Sequence, residues 1–145
     1  MTDTIRLTAA QALVKYISVQ MTEEGERFIE GIWAIFGHGN VAGMGEALHG
    51  MKDQLPTWRG QNEQSMALAG VAYAKAMLRR RIMVAASSIG PGATNMVTAA
   101  AVAHANRLPI LLLAGDTFAN RFPDPVLQQV EHFDAPSSTV NDAFR

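Results

Sequence analysis

Three apolar segments alternate with segments of small residues, and this alternation restricts the fold more than any other feature. The apolar segments are FIEGIWAIF at 28–36, RIMVAASS at 81–88 and LPILLLAGD at 108–116. Their apolar residues fall at successive positions rather than at alternate ones, as in strands that are buried on both faces. Alanine and glycine are frequent in the helical segments between them. The order predicts an α/β domain with a mainly parallel sheet flanked by helices.

Local signals place the other elements. Thr8 and Gln11 have the spacing of a capping box, so a first helix is predicted over residues 8–20. Asn62 or Gln61 is expected to cap a helix that runs from Glu63 to about residue 78. The remaining expected elements are a short helix at 43–54, a brief strand at 56–59, a turn at 89–95 and a helix at 96–106.

Composition argues against several classes of function. The chain has 145 residues, the size of one domain, with 12 Lys and Arg against 13 Asp and Glu. This balance argues against nucleic acid or an anionic membrane as a partner. There is no cysteine for a disulfide or a thiolate metal site. The N-terminus does not resemble a secretory signal, and no apolar segment reaches the roughly 20 residues of a membrane helix, so we expect a cytoplasmic protein.

The character of the chain changes after Asp116. Prolines divide a polar tail that includes VLQQVEHFD, and the chain ends at NDAFR without a closing strand or an obvious cap. We therefore expect a fragment of a longer protein, with a fold that is incomplete at its C-terminus.

Three turns are expected at the carboxyl ends of strands, where open α/β sheets bind ligands: GHGN at 37–40, GQNE at 60–63 and IGPGATN at 89–95. Gly37, Gly39 and Ala42 formally satisfy the dinucleotide pattern G-x-G-x-x-G/A. That pattern also needs an acid at the end of the next strand, and residues 56–59 contain none. The match is weak, and a nucleotide-binding regulatory module remains an alternative of another functional class.

Glu63 begins a long apolar helix and has two interpretations. An acid in a first turn is ordinarily stabilised by the helix macrodipole. Met66, Ala67 and Gly70, at helical spacing from Glu63, offer no cationic partner. A carboxyl group in an apolar site holds a proton more readily, which suits a hydrogen-bond donor or general acid. The glycines of IGPGATN likewise fit either a tight strand-to-helix connection or a turn that exposes backbone N–H groups to a ligand.

The histidines do not predict a metal site within this chain. His38, His49, His104 and His132 show no i, i+4 pairing and no acidic partner at ligand spacing. His38 differs in position, because glycines flank it at the end of the first predicted strand. It either faces a ligand or occupies a loop.

Taken together, three stretches resemble the N-terminal pyrimidine-binding domain of thiamine-diphosphate enzymes of the acetolactate-synthase type. They are NEQSMALAGVAYAKA, SSIGPGATNMVTAAAVAHANRLPILLLAGD and LQQVEHFD. An acid followed about 27 residues later by G-P-G-A-T-N is more specific than either motif alone. The resemblance implies the thiamine-diphosphate-binding fold, with residues 1–145 as its N-terminal pyrimidine domain.

The resemblance also implies roles for residues of the turn at 89–95 and the helix that begins at Glu63. Glu63 matches the catalytic glutamate that hydrogen-bonds a pyrimidine nitrogen of thiamine diphosphate and so helps to activate the cofactor. Gly90, Pro91, Gly92 and Asn95 match the segment that lies beside the pyrimidine. These residues are the expected cofactor site.

Other positions are implied to face the substrate or depart from the family. Gln128 matches a glutamine on the substrate side of the cleft. Acetolactate synthases have a Pro-Gly loop after the first strand, whereas this chain has His38, Gly39 and Asn40, which suggests polar contacts to a polyol ring. Asn62 stands where many relatives carry histidine.

Two further stretches narrow the resemblance within the family. IRLTAAQALVKYISVQ and IFGHGNVAGMGEAL are similar to hydrolases that open the ring of a cyclic polyol dione in inositol degradation. The implied reaction cleaves a carbon–carbon bond and releases a deoxy-glucuronic acid. An acetolactate-synthase-like lyase or synthase that acts on 2-oxo acids remains the alternative within the family.

The family binds the diphosphate and a divalent cation, Mg²⁺, through a G-D-G…N-N motif in a C-terminal domain. This sequence has no such motif. The resemblance therefore implies that this chain alone is inactive. It also implies that the complete protein is a homo-oligomer, since the family places the cofactor between subunits.

Overall fold

A four-stranded parallel sheet forms the centre of the molecule. The computed structural model describes residues 4–118, 120–132, 134–135 and 137–145. The strands are β1 (Ile29–Ala34), β2 (Thr57–Arg59), β3 (Ile82–Ala86) and β4 (Leu111–Leu113), in the order β2-β1-β3-β4. Every neighbouring pair is parallel. The predicted α/β class with a mainly parallel sheet is confirmed.

Helices cover both faces of this sheet. Their bounds are α1 (Ala9–Ser18), α2 (Gly37–Asn40), a π-helical segment (Val41–Gly45), α3 (Glu46–Gly50), α4 (Glu63–Ala76), α5 (Pro91–Thr94), α6 (Val97–Asn106) and a 3₁₀-helix (Val140–Phe144). The capping box before α1 is confirmed, because the Thr8 hydroxyl accepts from the Gln11 N–H and the Gln11 side chain accepts from the Thr8 N–H. Both predicted small-residue helices, α4 and α6, are present.

Two predicted turns are in fact helical. GHGN forms α2, and helical backbone continues through the π-helical segment to Gly50, so the helix predicted at 43–54 begins earlier and ends earlier. Glycines at 37, 39, 43 and 45 conceal this helix in the sequence because glycine has a low helix propensity. IGPGATN contains the single turn α5, in which Pro91 occupies the first helical position, where its missing N–H costs nothing.

The core consists of two clusters on opposite faces of the sheet. On one face Ile32 and Val84 pack with Val14 and Ile17 of α1 and Leu48 of α3. On the other face Ala85 packs with residues of α4 and α6, among them Met66, Ala67, Met96 and Ala99. Adjacent residues of β3 thus serve different clusters, as the alternation of side chains along a strand requires. The small side chains let α4 approach β3 closely and let α6 approach α4.

The C-terminal tail is attached to the end of β4. Thr139 and Asp142 form a capping box at the start of the 3₁₀-helix, so the tail does contain a cap that the sequence had not suggested. The Asn141 amide donates to the Gly115 carbonyl at 3.1 Å and to Asp116 Oδ2 at 3.0 Å. The tail therefore lies at the carboxyl edge of the sheet. No helix within the described residues is both long and apolar enough to cross a membrane.

Candidate functional site

Glu63 is placed by a cap that does not involve its own side chain. Asn62 has extended backbone, and its Oδ1 accepts from the Ser65 N–H at 3.0 Å, which confirms it as the N-cap of α4. Glu63 is consequently the first residue of the helix. Its carboxylate is free to reach across to another element, because the cap already satisfies an N–H group of the first turn.

The Glu63 carboxylate meets Asn95, which lies 32 residues away at the end of α5. The Asn95 Nδ2 donates to Glu63 Oε2 at 2.9 Å. For Oε1 there is no hydrogen-bond partner among the described residues, and no cationic side chain there lies within ion-pair distance of Glu63. One oxygen of a half-buried carboxyl group is thus fixed, and the other is available to a ligand.

An open groove of about 650 Å³ extends along this carboxyl group. The described residues that line it are Glu63, Pro91, Gly92, Thr94, Asn95, Gln128 and Val130. The structure therefore brings together Glu63, Pro91, Gly92, Asn95 and Gln128 from the sequence prediction. Glu63 is the one titratable side chain in this lining. The groove can exchange a proton with a ligand at a single position.

Two glycines of the turn at 89–95 are needed for close approach. Gly90 has a φ of +62°, and a Cβ there would collide with the backbone carbonyl oxygen of Gln128. A Cβ on Gly92 would collide with Ser88 Oγ and would stand 3.3 Å from Glu63 Oε1. The absence of a side chain at Gly90 thus lets the Gln128 backbone pack directly against the turn that lines the groove. Gly92 leaves free space beside the available carboxyl oxygen.

His38, Gly39 and Asn40 lie at a neighbouring cavity rather than in the Glu63 groove. This cavity has a volume of about 260 Å³, and Ser88, Ile89, Asp116, Thr117, Phe118 and Val126 complete its lining together with Phe36. His38 and Gly39 are exposed, whereas the Asn40 amide is fixed by donating to the Ser87 carbonyl at 3.1 Å. Among described residues the two cavities share no lining residue. Gln128 and the His38 segment, both predicted to face the substrate, are therefore in separate cavities.

Sequence reasoning missed Ser88 as an organising residue. Its side chain is buried, lines the smaller cavity, and lies against the positions of Gly37 and Gly92. Its hydroxyl donates to the Ile89 carbonyl at 3.4 Å, and the Ser87 hydroxyl donates to the Ser88 carbonyl at 3.0 Å. The sequence feature that could have indicated this close packing around Ser88 is the presence of a glycine after the end of several strands.

The donor set of the groove suits an organic ligand rather than a bare metal ion. No group of three or more His, Asp or Glu side chains that could hold a metal is found in the part of the chain described. Glu63 presents one oxygen, Gly92 leaves room for a flat group beside it, and Pro91 and Val130 add apolar surface. An aromatic ring with a hydrogen-bonding nitrogen at its edge fits these features.

Comparison with known proteins agrees with this chemistry. Residues 26–135 match the family described as thiamine pyrophosphate enzyme, N-terminal TPP binding domain. The chain is 57% identical over 146 residues to a 3D-(3,5/4)-trihydroxycyclohexane-1,2-dione hydrolase of Geobacillus thermodenitrificans. It is 53% identical to hydrolases named for the same substrate from Bacillus cereus and Clostridium tetani. Each alignment covers 99% of this chain and 23% of the relative's length.

Proposed function

Because this chain belongs to the thiamine pyrophosphate enzymes, as their N-terminal TPP-binding domain, we propose that the Glu63 groove holds the pyrimidine ring of thiamine diphosphate. The observation that carries this proposal is the carboxyl group of Glu63, with Oε2 held by Asn95 and Oε1 available beside Gly92. In this arrangement Glu63 would share one proton with a ring nitrogen. Pro91 and Gly92 would form the wall beside the ring.

The protein residues orient the cofactor and control that proton. Thiamine diphosphate, when bound, supplies a carbon nucleophile and an electron sink for cleaving a bond next to a carbonyl group. Glu63 holds the proton at Oε1, and Asn95 keeps the carboxyl group in place. Gly90 keeps the Gln128 backbone close behind the turn, so that the groove retains its shape. The chain thus positions the cofactor and supplies one proton-transfer group. In cofactor-dependent enzymes the protein usually has this role, and the cofactor carries out the bond cleavage.

For the full-length protein, meaning a protein of the relatives' length that contains this chain, we propose hydrolysis of 3D-(3,5/4)-trihydroxycyclohexane-1,2-dione. The basis is 52–57% identity over nearly all of this chain to hydrolases named for that substrate. Addition of one water across the bond between the two carbonyl carbons would open the ring. One end then becomes a carboxylic acid and the other an aldehyde, which gives a deoxy-glucuronic acid and balances the reaction.

The neighbouring cavity supports a polyol substrate over a simple 2-oxo acid. His38 and Asn40 line it with Asp116 and Thr117, so donors and acceptors for hydroxyl groups are concentrated there. A small 2-oxo acid such as pyruvate has no hydroxyl groups to use them. We therefore include in the proposal that the substrate binds in this cavity and that Gln128 contacts the substrate.

We propose that parts of the full-length protein outside this chain bind the diphosphate and its Mg²⁺ and close the groove. We further propose that the full-length protein is a cytoplasmic homo-oligomer. The relatives are about four times as long as the chain, which covers 23% of their length. Mg²⁺ prefers carboxylate and phosphate oxygens, and the described residues offer no acidic cluster to hold it.

Replacing Glu63 by glutamine in the full-length protein tests the proposal. The Glu63→Gln variant keeps the size of the side chain but cannot share an acidic proton, so exchange of the cofactor's C2 proton and dione hydrolysis should fall by about 100-fold or more. The exchange reaction is run in deuterated buffer and quenched at timed intervals, and the remaining C2 proton is measured by NMR. Glu46→Gln is the matched control, since Glu46 is an exposed acid in the first turn of α3. Exchange in Glu63→Gln at the wild-type rate would contradict the proposal.

Substrate comparison tests the proposed reaction separately. The wild-type full-length protein is assayed with the cyclic dione and with pyruvate under the same conditions. Ring opening of the dione with little pyruvate turnover is expected. Preferential consumption of pyruvate would instead support the acetolactate-synthase-like alternative. Saturable NAD binding without thiamine diphosphate binding would support a nucleotide-binding module.

A further inference from the structure

We propose that Asn95 is a positioning residue that determines which oxygen of Glu63 carries the exchangeable proton. This inference rests on the proposed function, since it concerns the same carboxyl group, but it assigns Asn95 a role toward Glu63 rather than direct contact with the cofactor. It follows from one hydrogen bond and from the different surroundings of the two carboxyl oxygens.

The hydrogen bond makes the two oxygens unequal. Asn95 Nδ2 donates to Glu63 Oε2 at 2.9 Å. An amide nitrogen has hydrogens and no available lone pair, so Oε2 must act as the acceptor. In a protonated carboxyl group the carbonyl oxygen is a better acceptor than the hydroxyl oxygen, so this bond to Oε2 favours a proton on Oε1. The opposite amide orientation would place the Asn95 oxygen against Oε2 and would require the proton there.

The surroundings of Oε1 direct its proton to the groove. Oε1 lies near Gly92, where a Cβ would stand 3.3 Å away, and no hydrogen-bond partner for it is found among residues the structure describes. It is not among the buried polar atoms that lack a partner, which is consistent with access from the groove. A ligand nitrogen entering the groove would therefore meet the protonated oxygen. Without Asn95, either oxygen could carry the proton.

Both partners are held by structure that does not depend on a ligand. The Asn95 N–H donates to the Pro91 carbonyl at 3.0 Å, and the next residue, Met96, is fully buried. Glu63 is fixed as the first residue of α4, whose next turn buries Met66 against the sheet. Because the two backbones are anchored, the 2.9 Å bond fixes the carboxyl group before the cofactor arrives. Such preorganisation of a reacting group by a neighbouring hydrogen bond lowers the barrier to reaction.

A double-mutant cycle in the full-length protein tests this role. Asn95→Leu removes the donor at similar size and should slow C2 proton exchange by about tenfold, the effect of losing one hydrogen bond to a charged group. Binding of thiamine diphosphate should change by less than about threefold. If Asn95 acts through Glu63, then adding Asn95→Leu to Glu63→Gln should not reduce exchange further. Asn106→Leu is the matched control, because the Asn106 amide donates to the Val102 carbonyl at 2.8 Å at the exposed end of α6.

A second variant provides a pH readout that a purely structural role would not affect. Asn95→Asp keeps the shape of the side chain but removes the donor while the introduced carboxyl group is ionised. Exchange should be slow at neutral pH and should recover at lower pH, where that group is protonated and can donate again. Among the described groove residues Glu63 is the only other titratable group. Near-ultraviolet circular dichroism of the bound cofactor's tautomers gives a second readout that does not depend on turnover.

The outcomes separate this inference from the proposed function. If the wild-type protein exchanges the C2 proton, Glu63→Gln does not, and Asn95→Leu exchanges within about twofold of wild type, then the role of Asn95 is wrong and the function stands. Multiplicative loss in the double variant would also overturn it, because it would indicate direct contact between Asn95 and the cofactor. If Glu63→Gln exchanges normally, the proposed function itself fails.

Discussion

Ser88 shows how strongly single residues shape the site. Backbone from three segments approaches it, at Gly37 at the start of α2, at Gly92 in α5 and at Gly115 after β4. A methyl group on Gly115 would stand 2.8 Å from the carbonyl carbon of Ser88, and methyl groups on the other two would collide with its side chain. The glycines therefore let three strand-end segments converge at one point. Ser88 itself lines the smaller cavity, and Gly92 lines the Glu63 groove.

Gly90 and Gly25 both have positive φ but differ in what a side chain there would meet. Both have positive φ, +62° and +79°, but a Cβ at Gly90 meets the Gln128 carbonyl oxygen, whereas a Cβ at Gly25 meets nothing within 4 Å. Gly25→Ala should lower the free energy of unfolding by about 1 kcal/mol, the cost of left-handed backbone. Gly90→Ala should lower it by about 3 kcal/mol, because a ψ of −119° puts Gly90 outside the left-handed region open to alanine and overpacking adds to that strain. Equilibrium urea unfolding of both variants measures the difference, and equal losses would show that the contact with Gln128 is unimportant.

At the scale of elements, a polar cluster lies at the amino ends of β1 and β3, the opposite end of the strands from the site, and includes Tyr73 of α4. Arg81 lies 3.5 Å from Glu30 and 3.6 Å from Glu26. Burial raises the pKa of Tyr73 on α4 above its ordinary value of 10.0, and the negative charge of Glu30 raises it further. Since the folded state favours the neutral phenol, the contribution of Tyr73 to stability is complete below about pH 10 and is lost as pH rises through the folded value.

Titration of Tyr73 tests this arrangement. The chain has two tyrosines, so Tyr16→Phe leaves Tyr73 as the only phenol. Its ionisation, followed by ultraviolet absorbance of the phenolate, should have a higher midpoint in the folded protein than in the same variant unfolded in urea. Adding Glu30→Gln should lower the folded midpoint, because it removes a negative charge. An unchanged midpoint in Glu30→Gln would exclude Glu30 as a cause of the raised pKa.

The elements that could be predicted are strands with a continuous apolar run and helices with a recognisable N-cap. Continuous apolar runs predicted β1, β3 and β4, and Asn62, one of the two residues expected to cap α4, is its N-cap. The helix from Gly37 was missed because tertiary packing of Met44, Ala47 and Leu48 against the core outweighs four unfavourable glycines. Likewise, nothing local indicates that Arg79 donates to the Arg107 carbonyl at 2.9 Å and so caps the end of α6.

The candidate site was likewise predicted only in part from the sequence. The resemblance placed Glu63 next to the GPGATN turn, and the structure brings them together. It could not give the direction of the Asn95 hydrogen bond or the separation of His38 from Gln128, since both depend on side-chain contacts between distant segments. Such contacts are set by the packing of whole elements, which a single sequence does not reveal.

At the scale of the whole molecule, the groove is an open surface rather than an enclosed pocket. Residues of α4, α5 and the C-terminal tail form its described lining, with Gln128 and Val130 supplied by the tail. Val130 is exposed, and so are Phe118, Phe122 and Leu127 in the same tail. Val130 lines the groove and Phe118 lines the neighbouring cavity, and exposed apolar side chains at such positions mark a surface that another domain can cover. A cofactor held only by this chain would keep much of its surface in water.

We therefore expect the 145-residue chain, tested alone with thiamine diphosphate and Mg²⁺, not to hydrolyse the cyclic dione. A diphosphate is ordinarily bound through a cation held by carboxylates, and the described residues contain no group that could hold one. Calorimetry should show cofactor binding at least about 100-fold weaker than in the full-length protein, as expected when most of a ligand's contacts are absent. Circular dichroism first establishes that the chain is folded. Hydrolysis by the folded chain at the full-length rate would show that this domain contains the complete catalytic site.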